Sequence, residues 1–195
     1  MKRIITVALF ILMISLSCYD GIQDDFEEGR TYSLRERGPG GGWIFYINPN
    51  YKADGWRYLE AAPEDQSTGK IWINSGSAPD PQSTLNGYTT TSIGAGKANT
   101  EAVIAQAGHA ISAAKLCRDY QGGGYTDWYL PSRDEQELMW ENLYVWDVAG
   151  LVSGNSYWSS SEYDATRAWY YRFNDHTKSQ ALKTANAYVR SVRQF

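Results

Sequence analysis

The chain has 195 residues, 43% hydrophobic and 21% charged, with a formal net charge of −4, a globular balance with length enough for one well-packed core. Its 8 Trp, 15 Tyr and 5 Phe exclude a disordered chain, and the acidic balance argues against a general nucleic-acid binder, which needs a basic footprint. Two cysteines exclude a disulfide scaffold and a Cys-rich zinc site.

At the start of the chain, Lys2 and Arg3 precede an apolar run from Ile4 to Ile14, interrupted only by Thr6. Such a run is too short for a bilayer core of ~30 Å, which needs roughly 20 residues. A charged start, a short apolar stretch and a small residue before the cut describe a secretory signal over residues 1–17. A plain signal with an incidental cysteine, or a short buried helix, is the alternative. Ser15-Leu16-Ser17-Cys18 resembles a bacterial lipoprotein signal in relaxed form, with its Leu one place nearer the cysteine than usual. That resemblance implies lipid attachment at Cys18, with the protein exported and anchored in the bacterial cell envelope, at the outer membrane or cell surface. Cys117 is then unpaired and expected to be a small buried hydrophobe.

Residues 18–37 read as a tether, acidic in its first half through Asp20, Asp24, Asp25, Glu27 and Glu28. Gly38-Pro39-Gly40-Gly41-Gly42 breaks regular structure, and a domain over 38–195 is expected to begin there. Trp43–Ile47 and the segment from Trp56 to Ala61 read as strands. Residues 63–98 form a long polar stretch in which only Ile71-Trp72-Ile73 suggests a strand; a loop of that length is often functional when ordered. Val103, Ala107, Ala110, Ile111, Ala114 and Cys117 recur at helical spacing, which predicts one helix over 100–118 with Asn99 as its cap. Ser132 and Glu135 predict a capping box opening a second helix over 132–144. Beyond it, Tyr157–Ser160 reads as a strand, and 168–173, 180–184 and 187–192 as a three-stranded meander. Trp43, Trp128, Trp158 and Trp169 are expected to be buried.

No catalytic set emerges. His109 falls beside the apolar face of the first helix, and His176 in a turn, where solvation is expected. Ser159, Ser160 and Ser161 lack the flanking glycines of a nucleophile elbow. Glu162 and Asp164 in one connection, and Asn174 and Asp175 in the next, offer hard oxygen ligands that suit calcium, although Asn and Asp also favour turns for backbone reasons. Arg172 and Arg190 could form a stripe for an anionic sugar, or pair with local acids.

Several segments together resemble a known family. They are Gly38–Tyr46, Gly55–Pro63, Gly96-Lys97-Ala98-Asn99-Thr100, Asp127–Glu135, Tyr157-Trp158-Ser159-Ser160-Ser161-Glu162 and Tyr188–Arg193. The chain from about 38 to 195 resembles the bacterial domain family typified by the C-terminal domain of the Lcl collagen-like adhesin. The resemblance implies an α+β, C-type-lectin-like fold, with two helices packed on a twisted antiparallel sheet and the end strands, 43–47 and 187–193, paired. It also implies a non-enzymatic lectin-like domain that binds a polysaccharide, sulfated in the Lcl type, or a surface protein, as an adhesin does. No cofactor is implied beyond calcium, and no nucleic-acid partner. Leu130–Glu135 is also similar to a segment of formylglycine-generating enzymes, which leaves an enzyme or enzyme accessory as one alternative and a structural envelope protein as another. In lectin-like folds the ligand meets loops beside the final strands, which nominates Glu162, Asp164, Arg167, Asn174, Asp175 and Lys178. Arg167 and Lys178 would hold a polyanion.

Overall fold

A computed structural model describes residues 30–76 and 79–195. The signal, Cys18 and most of the tether lie outside the described residues. The compact unit that carries the fold runs from Tyr32 to Phe195. It starts before the glycine run because the chain already pairs there: Arg35 N–H donates to Ile44 O at 2.7 Å and Ile44 N–H to Glu36 O at 2.9 Å.

In chain order the strands are β1 Trp43–Ile47, β2 Tyr58–Ala61, β3 Ser67–Ile71, β4 Ile73–Ser75, β5 His109–Ser112, β6 Ser156–Glu162, β7 Arg167–Arg172, β8 Thr177–Leu182, β9 Asn186–Val189 and β10 Val192–Gln194. The helices are α1 Tyr51–Asp54, α2 Gly96–Ile104, α3 Ala113–Arg118 and α4 Arg133–Asn142. The fold is thus mixed α and β, with several sheets and few helices.

Among the described residues the strands form three sheets, in the orders β1-β2-β10, β3-β9-β6-β7-β8 and β4-β5. All pairings are antiparallel except β6 with β9, which run parallel. The pairing of end strands expected from sequence does not occur: β1 and β10 share a sheet, but each takes one edge of β2, which lies between them. β2 is buried at every position, so both its edges need backbone partners.

The five-stranded sheet is covered on both faces. Tyr157 and Tyr171 enter one core with Phe45, Leu59, Met139, Leu143, Phe173 and Val192. Trp158 and Ala168 enter a second core with Trp72, Val103, Ala114, Cys117, Leu130 and Val189. This alternation of neighbours along β6 follows from the two-residue period of a strand. α4 contacts β1, β6 and β7, whereas α2 and α3 contact β6 and β5.

Several elements depart from the sequence reading. The helix expected over 100–118 is broken: α2 ends at Ile104, β5 pairs with β4, and α3 restarts behind Ser112, whose side chain accepts from Lys115 N–H. Gly108, at φ +80°, makes the turn. Ala107, Ala110 and Ile111 are exposed, so half the expected apolar stripe faces solvent. Asn99 is not a cap but lies inside α2. The meander is also broken. β7 and β8 form a hairpin, but the chain then leaves it, and β9 inserts between β3 and β6. The strand expected over 187–192 splits into β9 and β10 at Arg190-Ser191, because buried Arg190 reaches Ala62 O, Ala149 O and Asp65. Trp128 and Trp158 are buried as expected. Trp43 and Trp169 are only half-buried, and the fully buried Trp72 was not anticipated. Cys117 is free and buried, and burial pushes its thiol up to about 12.

Candidate functional site

The six residues nominated by sequence do not converge. Asp164 and Arg167 sit at the β6–β7 turn; Asn174, Asp175 and Lys178 sit at the opposite end of β7, roughly 20 Å away for a six-residue strand. Glu162 is removed from solvent, its side chain only 3% exposed. It accepts from Lys183 Nζ at 2.6 Å and from the Asn86 and Gly87 backbone N–H groups. Lys178 is engaged with Glu137 at 2.5 Å and Asp175 with Arg172 at 3.3 Å. Arg190 is buried, so no Arg172–Arg190 stripe faces solvent. His109 lies on a strand with Nε2 2.9 Å from Ser112 Oγ. His176 is not simply solvated: it stacks on Trp140 with ring centroids 3.9 Å apart.

Motif residues that look chemical from sequence are joinery for the loop that precedes α2. Asn99 brackets Thr90, accepting from its N–H and donating to its carbonyl. Ser161 Oγ donates to Thr90 O, Ser132 Oγ to Ser92 O, and Ser159 Oγ to Trp169 O. Glu135 completes the capping box and also accepts from Gly94 and Gly96 N–H. Gly96 tolerates no side chain, since a Cβ there would meet Glu135 Oε2 at 2.3 Å. Burial is the dominant influence on Glu135 and raises its carboxyl to about 7, against the lowering effect of the N–H donors. A second joint forms at the glycine run: Glu60, buried, accepts from Arg193 at 3.0 Å and from Gly40 N–H at 3.1 Å. Burial raises the Glu60 carboxyl as well.

What the loop joinery leaves outside is an aromatic platform. Tyr163 and Trp169 meet edge to face at 5.1 Å, with Tyr163 44% exposed. The Arg167 guanidinium lies 4.8 Å from the Tyr163 ring centre, and that of Arg133 5.0 Å from Trp169. Arg133 is placed by the start of α4, where its N–H donates to Ser161 Oγ. Tyr88, 82% exposed, stands on the rim, because Asn86, Gly87 and Thr89 are fastened to Glu162. Arg167 pairs with Asp164, and Arg133 with Asp134, each through Nε and Nη2. Nη1 of each has no hydrogen-bond partner among the described residues. The Arg167 guanidinium holds the Asp164 carboxyl at about 2, so this turn stays ionised across the physiological range. Flat ring faces beside guanidinium donors suit a sugar ring that bears sulfate or carboxylate.

Arg167 and Asp164 were legible in the sequence; Arg133, Trp169 and Tyr88 were not. Arg133 and Trp169 sit inside motif segments whose neighbours are structural, and Tyr88 sits in the long loop, which carries no periodic signal. A cleft of about 410 Å³ opens elsewhere, between Asp65, Gln66, Asp119 and Tyr120. Its acidic lining does not suit an anion. Among the described residues no group of three or more His, Cys, Asp or Glu is placed to hold a metal ion, and no helix is long and apolar enough to cross a membrane.

Comparison with known protein families finds a match. The model of the family described as Lcl C-terminal domain matches residues 62–193, more than half the chain. No curated protein matches the chain.

Proposed function

The chain belongs to the Lcl C-terminal domain family, and on that premise we propose that it is a non-enzymatic, lectin-like binding protein of the bacterial cell envelope. The fold is read as C-type-lectin-like, with the loop before α2 as the long loop of that fold. The ligand is an anionic polysaccharide, met at the platform of Tyr163, Trp169, Arg133 and Arg167. The observation that carries this reading is the pair of exposed Tyr163 and half-buried Trp169, with a guanidinium over each ring. Aromatic faces take the apolar face of a pyranose, and the arginines take its sulfate or carboxylate. The chain is read as exported and held to the membrane by an acyl group on Cys18. Calcium and nucleic acid have no part in the contact.

The pairing that best fits a polyanion is Arg133 with Arg167, rather than Arg167 with Lys178, because Lys178 lies at the far end of β7 against Glu137. Formylglycine-type chemistry needs accessible cysteine, and Cys117 is buried with a raised pKa.

A glycan array run with chelator and with added calcium, followed by titration of the best ligand, tests the reading. A sulfated or uronate-rich polysaccharide is expected to bind equally in both conditions and to weaken with salt, since exposed charge pairs are screened over ~8–10 Å at physiological ionic strength. Arg133→Ala with Arg167→Ala is expected to lower affinity at least tenfold, a change of ~1.4 kcal/mol, without moving the unfolding midpoint by more than a few degrees. A neutral glycan bound only with calcium, and unaffected by the double substitution, would overturn it.

A further inference from the structure

A second surface lies at the other end of α4. The 3-10 turn Tyr144–Trp146 follows that helix. It presents Trp146 at 58% exposure and Val145 at 55%. The Arg35 guanidinium lies 4.2 Å from the Trp146 ring centre, and Arg37 lies 3.7 Å from that of half-buried Trp43. Among the described residues neither arginine is in an ion pair. The backbone around the patch is unfavourable: Arg35 has φ +68°, Asp147 +54° and Ala149 +73°, in the left-handed region that non-glycine residues rarely adopt. Ala149 is buried in the core, but Trp146 and Val145 on the same turn face solvent, as contact surfaces do.

We propose that this patch docks on the phospholipid surface of the membrane that holds the chain, and that docking turns the polysaccharide platform outward. The occupant follows from where the patch lies. It is built on the start of the compact unit, and Cys18 is 17 residues before Arg35 in sequence, a reach of at most roughly 60 Å. The chemistry is that of the membrane interface, where Trp concentrates and Arg binds phosphate bidentately. The acidic stretch between, from Asp20 to Glu28, is repelled by anionic headgroups. The first basic residues beyond it are Arg30, Arg35 and Arg37, the last two of them on the patch. Arg133 and Trp146 sit at opposite ends of α4 and its 3-10 extension, roughly 20 Å apart. An interface that receives Trp146 leaves Arg133 and its platform directed away from the bilayer.

The inference rests on the lipid-anchored reading, and one experiment separates the two. The full chain carrying Val145→Cys is labelled with an environment-sensitive fluorophore after isolation from membranes. Buried Cys117 does not compete for the label, and an acylated Cys18 leaves no second free thiol. In vesicles of phosphatidylethanolamine and phosphatidylglycerol the emission is expected to rise severalfold and shift to the blue, and adding Trp146→Ala removes most of the rise. The same label introduced through Tyr163→Cys is expected to report water. If the chain stays vesicle-bound while the label at position 145 reports water, docking is wrong and the anchor stands. If Cys18 itself takes the label and the chain does not bind vesicles, the anchor is wrong and the docking with it.

Discussion

Glu135 sits fully buried among three backbone N–H donors, and its carboxyl titrates near pH 7 against 4.5 for the free side chain. The folded chain therefore holds this proton more tightly than the unfolded chain. Stability from this group is fully present below about pH 4.5 and is lost as pH rises to about 7, amounting to about 3 kcal/mol across the window. Glu135→Gln is expected to flatten the fall in stability between pH 5 and 7, checked by urea denaturation at stepped pH; an unchanged slope would place the titration elsewhere. Trp158 is a simpler case. It is buried, with its indole N–H donating to Lys70 O at 2.8 Å. Trp158→Ala is expected to cost ~3–5 kcal/mol on chemical denaturation, through a cavity and the orphaned carbonyl.

The element that most needs support is the loop before α2, held at one end by a buried ion pair and at the other by the cap of α4. Lys183 is buried, with Nζ shared among Glu162, Thr84 O and Ala165 O. Removing one member of a buried pair leaves the other charge uncompensated. Lys183→Met is thus expected to cost roughly 3–5 kcal/mol and to speed amide exchange at Asn86 and Gly87, which donate to Glu162. A loss of stability without faster exchange at those two amides would mean the loop is held by other contacts. At the opposite end Ser132 caps α4 and also donates to Ser92 O. Ser132→Ala is expected to cost more than the ~1 kcal/mol of an ordinary cap, because it also unfastens the loop.

Over the whole molecule, the two cores are divided by the single sheet built on β6 and β7, so neither can open without exposing the other. Arg190 adds a tie between segments distant in sequence, joining Asp65, Ala62 and Ala149. Unfolding is expected to be one cooperative step, with far-UV and near-UV circular dichroism following the same denaturant curve. Separated curves would show that the cores melt independently. Placing the aromatic–arginine platform and the Trp146 patch at opposite ends of α4 gives the molecule two faces of different chemistry.

The sequence by itself determined the local elements whose signals lie within a few residues: β1, the hairpin of β7 and β8, the capping box of α4, and the burial of Cys117, Trp128 and Trp158. Motif resemblance also identified the family before any coordinates. What it left open depends on contacts between distant segments. The helical spacing of Val103 to Cys117 cannot reveal that β4 would claim 109–112 as a partner. The run Ala187–Val192 cannot reveal that Arg190 would turn inward to carbonyls more than 40 residues away. Glu162 reads as an exposed ligand group because its neutraliser, Lys183, is a separate signal in the turn after β8. Trp169 and Arg133 belong to segments nearly forty residues apart and acquire joint meaning only when α4 lies against β7. Local propensity and spacing are short-range quantities; burial, charge pairing and the convergence of a site are properties of the packed chain.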